Sequence, residues 1–207
     1  MIEMKQTVLF RDFEERDIDF IYRCKNDEKL NSLVVGPYHP FTYEEAVNWV
    51  HGCMGEHEIY KFWAICTNDE EKRIVGWVSI SQIDYTNQSA CFYGIVIGDE
   101  EYRDGTAWID SYLFIHDYVF EKLKFNRLYG SNLVKQKASS CMGIAMCGHV
   151  EGIARQAILK NGEFQDVIYM SILRNEYMYH KQQGDFEYKK IIARLLKAKK
   201  DLKMMEK

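Results

Sequence analysis

Residues 94–107 read GIVIGDEEYRDGTA, and this stretch predicts a strand, a loop, a glycine and the start of a helix. Gly94 to Ile97 has the β-branched composition of a strand, and a helical pattern begins after Gly105. The free backbone N–H groups of a first helical turn point at one place, where the helix dipole also favours negative charge. The order therefore predicts a site for an anion such as a pyrophosphate. Taken alone, Asp104-Gly105 is equally typical of a turn before an ordinary helix.

The rest of the chain predicts a mixed α/β fold around this stretch. Thr42 and Glu45 have the spacing of a capping box, so a helix begins there and runs to about His51. Another helix follows Gly105 and extends to Leu123, after three strands that form an antiparallel meander. The predicted strands are 7–11, 62–67, 74–83, 90–97, 128–134, 153–159 and 167–173, and the remaining predicted helices are 14–26, 139–147 and 188–207. We expect one domain over residues 1–180 and a Lys-rich amphipathic helical tail over residues 181–207.

Composition excludes several classes of function. The 207 residues carry a formal net charge of -4, so a nucleic-acid partner is not expected. Charges interrupt every apolar stretch and the first ten residues lack a signal-peptide pattern, so no membrane association is expected. The six cysteines form no CxxC pair, which predicts reduced thiols in a cytoplasmic protein. The six histidines lack HxxxH or HExxH spacing, so we expect no metal site.

Four separated motifs, in their order along the chain, resemble the GNAT superfamily of N-acetyltransferases, and most closely its branch of RimJ/RimL-type ribosomal-protein acetyltransferases. The similarity spans about residues 7–177. The motifs are residues 97–103 (IGDEEYR), residues 117–120 (DYVF), residues 126–129 (NRLY), and the C-terminal pair of 160–162 (KNG) and 166–173 (DVIYMSIL).

The resemblance implies the GNAT fold, a splayed and mostly antiparallel mixed sheet flanked by helices. It also implies a slot for acetyl-CoA between the strand that ends at Ile97 and the strand that begins near Leu128. Backbone groups of Ile95 and Ile97 would pair with the pantetheine arm, and amides of residues 104–108 would hold the pyrophosphate. The full set implied to bind the donor is Ile95, Val96, Ile97, Arg103, Asp104, Gly105, Thr106, Ala107, Trp108 and Gln136.

The glycine loop departs from the family pattern. That pattern is Arg or Gln, two residues, Gly, one residue, then Gly or Ala, because side chains at the small positions obstruct the phosphates. Counted from Arg103, the small positions fall on Thr106 and Trp108. A shift by one residue places Gly105 and Ala107 there instead, and we prefer this alignment because Trp108 would block the site.

A second departure concerns the acid that reprotonates the CoA thiolate. The family places an Asn before the short helix and a Tyr on it, and this chain has Gln136 and Ile144 at those positions. Ile144 donates no proton. The candidates that replace the acid are Tyr93 on the strand and Ser139, Ser140 and Cys141 at the start of the helix. Each also has a structural reading, as core residue or helix cap.

The resemblance further implies acetyl transfer to a primary amine of a small molecule, an amino sugar or a protein N-terminus. The acceptor determinants would lie in residues 26–45, which include the loop Gly36-Pro37-Tyr38-His39-Pro40. Glu45, Glu56 and Glu58 are candidate bases, although exposed glutamates are commonly just solvated. The alternative is a catalytically impaired binding or regulatory module of the same fold. Self-association as a homodimer is a further expectation.

Overall fold

The computed structural model of the chain describes residues 7–32, 38–55, 57–160 and 162–204. The described residues divide into two compact units, one drawn from Met1–Ile83 with Tyr93–Phe114 and the other from Asp84–Phe92 with Ile115–Lys207. The proposed division into a domain over 1–180 and a tail over 181–207 stays a prediction.

The first unit combines an antiparallel sheet with four helices. Strand β1 (Val8–Arg11) pairs with β2 (Tyr60–Thr67) from Val8 opposite Thr67 onward, β2 pairs with β3 (Ile74–Asp84), and β4 (Ser89–Ile97) follows β3 in the sheet. In chain order the elements are β1 (Val8–Arg11), α1 (Ile18–Lys25), α2 (Glu28–Asn31), α3 (Tyr43–Cys53), β2 (Tyr60–Thr67), β3 (Ile74–Asp84), β4 (Ser89–Ile97) and α4 (Thr106–Asp117). Elements β4 and α4 each contribute residues to both units.

Helices α1 and α3 form an apolar cluster with residues of the sheet. Ile18, Ile21 and Cys24 recur every three residues on α1 and all three are buried. Trp49 of α3 contacts Trp77 of β3 edge-to-face, with ring centroids 5.7 Å apart. Burial of this face, rather than helix propensity, holds the short helix α1 in place.

The capping box predicted at the start of α3 is confirmed. The Thr42 hydroxyl accepts a hydrogen bond from the Glu45 amide, and the Glu45 carboxylate accepts one from the Thr42 amide at 2.7 Å. Both bonds satisfy amides that the helix itself leaves unpaired. The helix ends at Cys53, two residues beyond the predicted end.

A buried carboxylate connects helix α4 to the start of β1. Asp110 is 4% exposed, and its Oδ2 atom accepts hydrogen bonds from the Thr7 amide at 2.7 Å, the Thr7 hydroxyl at 2.9 Å and the Val8 amide at 3.3 Å. Burial raises the pKa of this carboxyl above its ordinary value, although the bonds from Thr7 and Val8 oppose the rise. The hydrogen bonds from Thr7 and Val8 therefore stabilise the fold, whereas burial of the ionised carboxylate opposes it.

Replacement of Asp110 separates these two contributions. We expect Asp110→Ala to lower the free energy of unfolding by about 2 kcal/mol, because three donors lose their acceptor. Asp110→Asn keeps an acceptor oxygen and should stay within about 1 kcal/mol of wild type. Urea unfolding at several pH values measures both. Because the folded pKa is raised, the wild type should lose stability relative to Asp110→Asn as pH rises from below the ordinary aspartate pKa to above the folded one. Equal losses of unfolding free energy in Asp110→Ala and Asp110→Asn would show that the acceptor oxygen of Asp110 does not stabilise the fold.

The second unit contains the C-terminal strands and three helices. The first residues of β4 pair in parallel with β5 from Ser89 opposite Arg127 to Cys91 opposite Tyr129, whereas β7 pairs antiparallel with both β5 and β6. Its elements are β5 (Arg127–Leu133), α5 (Lys137–Ala145), β6 (His149–Lys160), β7 (Glu163–Leu173), α6 (Arg174–Gln182) and α7 (Tyr188–Met204). Helices α5 and α7 are in contact, and Ile191 of α7 is fully buried.

The predicted fold class is confirmed: the described residues form seven strands in one sheet, in which β4 and β5 pair in parallel. The helix predicted to reach Leu123 ends as α4 at Asp117 and continues as a π-helical turn over Tyr118–Lys122. Helix α6 was not predicted, because its sequence RNEYMYHKQ carries no apolar stripe. It is held instead by buried Tyr177, whose hydroxyl donates to Asp117 at 2.6 Å. Residue 161 of the KNG motif, residues 160–162, lies outside the described residues.

Candidate functional site

The last residues of β4 direct alternate backbone groups to opposite edges of the strand. The amides of Gly98 and Asp99 donate to the Val75 carbonyl of β3 at 2.9 and 3.1 Å. The Val96 carbonyl lies against Gly76 of β3 so closely that a side chain at position 76 would collide with it. Because backbone direction alternates along a strand, Ile95 and Ile97 direct their backbone groups away from β3. These are the two residues predicted to pair with an extended ligand.

Arg103 occupies part of that edge. Its Nε atom donates to the Ile97 carbonyl at 3.0 Å, its Nη2 atom donates to the Gly98 carbonyl at 2.9 Å, and Nη1 lies 3.2 Å from Glu100. The side chain therefore ties the loop after β4 back onto the end of the strand. The Ile97 carbonyl is engaged by Arg103, which leaves the Ile97 amide and the backbone of Ile95 as the groups for an added strand.

The loop is fixed by further contacts on its other side. Asp99 accepts hydrogen bonds from the Glu101 amide at 3.1 Å and from Arg73 at 2.7 Å. Partial burial acts to raise the pKa of Asp99, but the bond from Arg73 and the loop amide outweigh it and the pKa lies below its ordinary value. Asp99 is therefore ionised at neutral pH, and its pairing with Arg73 anchors the loop to the residue just before β3.

Gly105 precedes helix α4 in a conformation that favours glycine. Its φ is +101°, and a Cβ atom added there would meet nothing within 4 Å. The Gly105 carbonyl accepts the first bond of the helix, from the Ile109 amide at 3.1 Å. The amides of Thr106, Ala107 and Trp108 therefore lack acceptors within the helix, as in every first turn.

One of these amides is engaged by the chain itself. The Asp104 carboxylate accepts hydrogen bonds from the Thr106 amide at 2.8 Å and the Thr106 hydroxyl at 2.7 Å. A negative charge thus already caps α4, as an Asp before a helix commonly does. Among the amides of the first helical turn, those of Ala107 and Trp108 remain as candidate phosphate donors. The Ala107 side chain is fully buried and Trp108 is half-buried.

The preferred alignment of the glycine loop stays a prediction. Its two small positions, Gly105 and Ala107, place no protruding side chain at the start of α4, since one has none and the other is buried. Gly98 shows a close approach of a different kind, because a Cβ atom there would collide with the Cys24 thiol and the Phe20 ring of α1. The loop is therefore packed against the end of α1 at Gly98.

The candidates on α5 and just before it belong to the second unit. Gln136 is the N-cap residue of α5 but makes no side-chain capping bond, and Ser139 is half-buried. The Ser140 hydroxyl accepts a hydrogen bond from Asn132 at 2.8 Å. Cys141 is 1% exposed, and burial raises the pKa of its thiol. The roles predicted for Gln136, Ser139 and Cys141 stay predictions.

The remaining candidates lie in the first unit. Tyr93 belongs to β4, and its side chain is outside what the structure describes. Glu45 is committed to the capping box and lies 3.3 Å from His39, and the hydrogen bond from the Thr42 amide lowers its pKa. Glu58 is exposed. Glu56, with Gly36 and Pro37 of the predicted acceptor loop, lies outside the described residues.

Two features that a search for motifs does not find lie near α1. Between Asp12 and Glu45 the sequence carries nine carboxylates and four lysines or arginines, so this segment has an excess of negative charge. The net charge of the whole chain does not reveal this local excess. Lys25 lies among aromatic rings contributed by distant parts of the sequence, an arrangement that only the fold creates.

The described residues contain neither a cluster of metal ligands nor a membrane-spanning helix. No group of three or more His, Cys, Asp or Glu side chains in this part of the chain is arranged to hold a metal ion. No helix within the described ranges combines the length and apolar character of a membrane span.

Comparison with known proteins gives consistent matches. A family model described as an acetyltransferase (GNAT) domain matches residues 7–142. The spermidine N(1)-acetyltransferase of Vibrio cholerae serotype O1 is 27% identical over 179 residues, which cover 84% of this chain and 98% of that protein.

Solved structures show the same fold. The structure of spermidine N-acetyltransferase from Vibrio cholerae in complex with CoA and spermine has a TM-score of 0.70 at 22% identity, and the match covers 84% of this chain and 99% of that one. A GCN5-related N-acetyltransferase from Brucella melitensis has a TM-score of 0.72 at 18% identity, and the match covers 91% of this chain and 86% of that one.

Proposed function

Because the chain belongs to the GNAT acetyltransferase family, and is therefore an acyl-CoA-dependent N-acetyltransferase, we propose that it transfers an acetyl group from acetyl-CoA to a primary amine of a small polyamine. The observation that carries the choice of acceptor is the similarity to spermidine N(1)-acetyltransferase over 98% of that protein's length. The local excess of carboxylates near α1 favours the same class, since negative potential attracts an oligocation.

The donor would bind at the end of β4 and the start of α4. Ile95 and the Ile97 amide would pair with the pantetheine arm in the manner of an added strand. The amides of Ala107 and Trp108 would donate to the pyrophosphate, where the dipole of α4 adds attraction for negative charge. Gly105 leaves the approach to these amides open. Arg103 would act indirectly by holding the loop onto the end of β4.

The chemistry asks little of the protein beyond orientation and proton transfer. The acceptor nitrogen must be neutral to attack the thioester carbonyl, and an alkyl ammonium has a pKa far above neutrality. A carboxylate acting through water would remove that proton. Glu45 is less suited than predicted because its carboxylate caps α3, whereas Glu58 is exposed. The leaving thiolate needs a proton in turn, and Tyr93 is the candidate that we favour.

An acceptor screen tests the function. The purified protein is incubated with acetyl-CoA and with spermidine, spermine, glucosamine or a short peptide with a free N-terminus, and thiol release is followed. We expect kcat/KM for the polyamines to exceed that for the other amines by at least about tenfold, and we expect KM for spermidine to rise with salt. A preference for the peptide would instead support the RimJ/RimL type of acceptor, and a preference for glucosamine an amino-sugar acceptor. Either preference would reject the polyamine.

The Asp104 carboxylate should weaken donor binding, because it competes for the Thr106 amide and repels the pyrophosphate. We expect Asp104→Asn, which can keep the capping bond, to lower the dissociation constant for CoA by about three- to tenfold at low salt. Titration calorimetry measures the constant. Glu101→Gln removes an equal charge from the same loop and serves as the control. Equal effects of the two substitutions, or none from Asp104→Asn, would show that Asp104 has no specific role.

Homodimer formation and cytoplasmic location stay predictions, and gel filtration with light scattering would test the first.

A further inference from the structure

A groove lies at the start of β2 and the end of β3, and it has a volume of about 560 Å³. A space of this size accommodates a small organic ligand. Tyr60 is opposite Ser81 in the pairing of the two strands, and Phe62 is opposite Ser79. Because side chains alternate across a strand, these four residues lie on one face of the sheet. The residues that line the groove are Ile59, Tyr60, Phe62, Ser81 and Gln82.

The rings of the groove belong to a row of aromatic side chains that ends at an ammonium group. Phe62 contacts Tyr60 and Trp49 edge-to-face, with ring centroids 5.8 and 5.4 Å apart. The Lys25 Nζ atom lies 4.4 Å from the centroid of Trp49, a distance at which a ring face attracts a cation. The protein thus holds an alkylammonium group of its own at the inner end of the row. The groove presents the outer rings, Phe62 and Tyr60, to a cation from solution.

The two rings are held in place by their surroundings. The Tyr60 hydroxyl donates to the Gly52 carbonyl at 3.2 Å, and the His57 ring stacks on Tyr60 with centroids 4.3 Å apart. Phe62 packs on the apolar cluster of α1 and α3. A ligand in the groove therefore orders few side chains when it binds, and little of its binding free energy is lost to that ordering.

The charges around the groove favour a cation. Among the residues of β2 and β3, Lys61 is the only lysine or arginine. Its Nζ atom lies 5.7 Å from the ring centroid of Trp63, and both residues alternate with Phe62, so Lys61 is on the opposite face of the sheet. Glu58 is exposed and lies two residues before Tyr60 in the chain, where its carboxylate adds negative potential.

The face that carries the groove continues to the donor strand β4. Val96 packs on the same apolar cluster as Phe62, and Gly94, two residues earlier, is on that face as well. A Cβ atom added at Gly94 would meet nothing within 4 Å, so the space beside it is open. Gly94 directly precedes Ile95, the backbone of which would pair with the pantetheine arm. Two strand spacings, about 10 Å, separate β2 from β4, which suits an acceptor with amines at both ends of a short chain.

We propose that the groove at Tyr60 and Phe62 binds the ammonium group of the acceptor that does not react, while the reacting amine lies beside Gly94 on β4. In a polyamine, one nitrogen must be neutral to attack the thioester and the others stay cationic. Ring faces attract the cationic nitrogen and give no such attraction to a methyl group. The groove therefore selects diamines and longer polyamines over monoamines. The inference rests on the proposed function and deepens it, because it assigns the residues that select the acceptor class.

A comparison of two acceptors that differ in one charge tests the groove. We would measure kcat/KM for 1,4-diaminobutane and for n-butylamine in the wild type, Tyr60→Leu and Phe62→Leu. The wild type should prefer the diamine by at least about tenfold, and each substitution should reduce this preference by about five- to tenfold. Both amines are measured on one preparation, so a partial loss of folded enzyme leaves the ratio unchanged. Tyr179→Leu removes an exposed ring from α6 and should keep the wild-type preference.

A third variant tests the groove without removing a ring. Ser81→Lys places an ammonium group opposite Tyr60, as Lys25 does at Trp49, and should lower the preference for the diamine by at least about fivefold. The proposal is overturned if the wild type shows no preference, if the preference is unchanged in these variants, or if kcat/KM falls equally for both amines.

Calorimetric titration with spermidine separates the groove from the proposed function. Turnover of polyamines with an unchanged preference in the variants rejects only the groove. If the wild type acetylates no polyamine, the proposed function fails, and the groove is then judged by binding alone. Spermidine affinity that falls by at least about fivefold in Phe62→Leu and not in Tyr179→Leu supports the groove, whereas absence of binding or equal affinity in both rejects it.

Discussion

Replacing Gly105 with tryptophan should weaken acetyl-CoA binding by at least about 100-fold, because each N–H···phosphate bond lost costs about 1.5–3 kcal/mol and two amides are at risk. A side chain at this position projects into open space beside the first turn of α4, where nothing lies within 4 Å of the added Cβ atom. A large ring there would cover the amides of Ala107 and Trp108. Turnover at fixed acetyl-CoA should fall in parallel, and titration calorimetry with acetyl-CoA and with CoA measures the loss directly.

Gly105→Ala is the matched control. Both variants place a side chain at a φ of +101°, so both carry the backbone strain of that conformation, about 1–2 kcal/mol. The alanine methyl group is too small to cover the helix terminus. We expect the two variants to lose similar stability in urea unfolding, and only Gly105→Trp to lose donor binding. Unchanged affinity for acetyl-CoA in Gly105→Trp would show that the phosphates do not bind at the start of α4. An equal loss of affinity in Gly105→Trp and Gly105→Ala would show that backbone strain causes the effect.

Tyr93→Phe should lower kcat by about 100-fold with little change in KM for acetyl-CoA, because it removes a general acid and leaves the ring in place. A phenol has an unperturbed pKa near 10, which is closer to the pKa of a thiol than the pKa of an aliphatic hydroxyl is. A phenol therefore suits reprotonation of the CoA thiolate. The family places a Tyr on the short helix for this purpose, where the present chain has Ile144. Steady-state kinetics over a range of pH would measure the effect, with loss of the alkaline limb expected in the variant.

Ser139→Ala and Cys141→Ala are the comparison variants. Cys141 is 1% exposed and burial raises the pKa of its thiol, so its replacement should leave kcat within about twofold. Ser139 is half-buried, and an aliphatic hydroxyl is a weaker acid than a phenol. If kcat falls more in Ser139→Ala than in Tyr93→Phe, the general acid is Ser139 on α5 and not Tyr93. Unchanged kcat in all three variants would indicate that solvent protonates the thiolate.

Much of the fold could be predicted from local patterns. The Thr42–Glu45 capping box, the meander of β2, β3 and β4, and the strand, loop and helix around Gly105 all appear where the sequence predicts them. The GNAT fold is confirmed by the structural neighbours. These elements depend on interactions within a few residues, such as caps, turns and alternating burial, and such interactions are visible in a linear sequence.

Neither helix α6 nor the hydrogen bonds of the loop between β4 and α4 could be predicted in this way. The first is stabilised by Tyr177 bonding to Asp117, sixty residues earlier in the chain. The second depends on Arg103 folding back onto Ile97 and on Asp104 capping Thr106, which no spacing rule distinguishes from free side chains. The Asp104 carboxylate consequently occupies one of the amides that the sequence assigned to a phosphate.

The sequence by itself determined the order of the strands, the family and the position of the glycine loop, because these follow from local propensity and from motifs. Only the tertiary structure decided which groups remain available for chemistry. It buried Cys141, paired Asp99 with Arg73, and brought Lys25 from α1 together with rings from other parts of the chain. Burial and pairing depend on residues far apart in sequence, and these long-range contacts set both the pKa of a side chain and its access to a substrate.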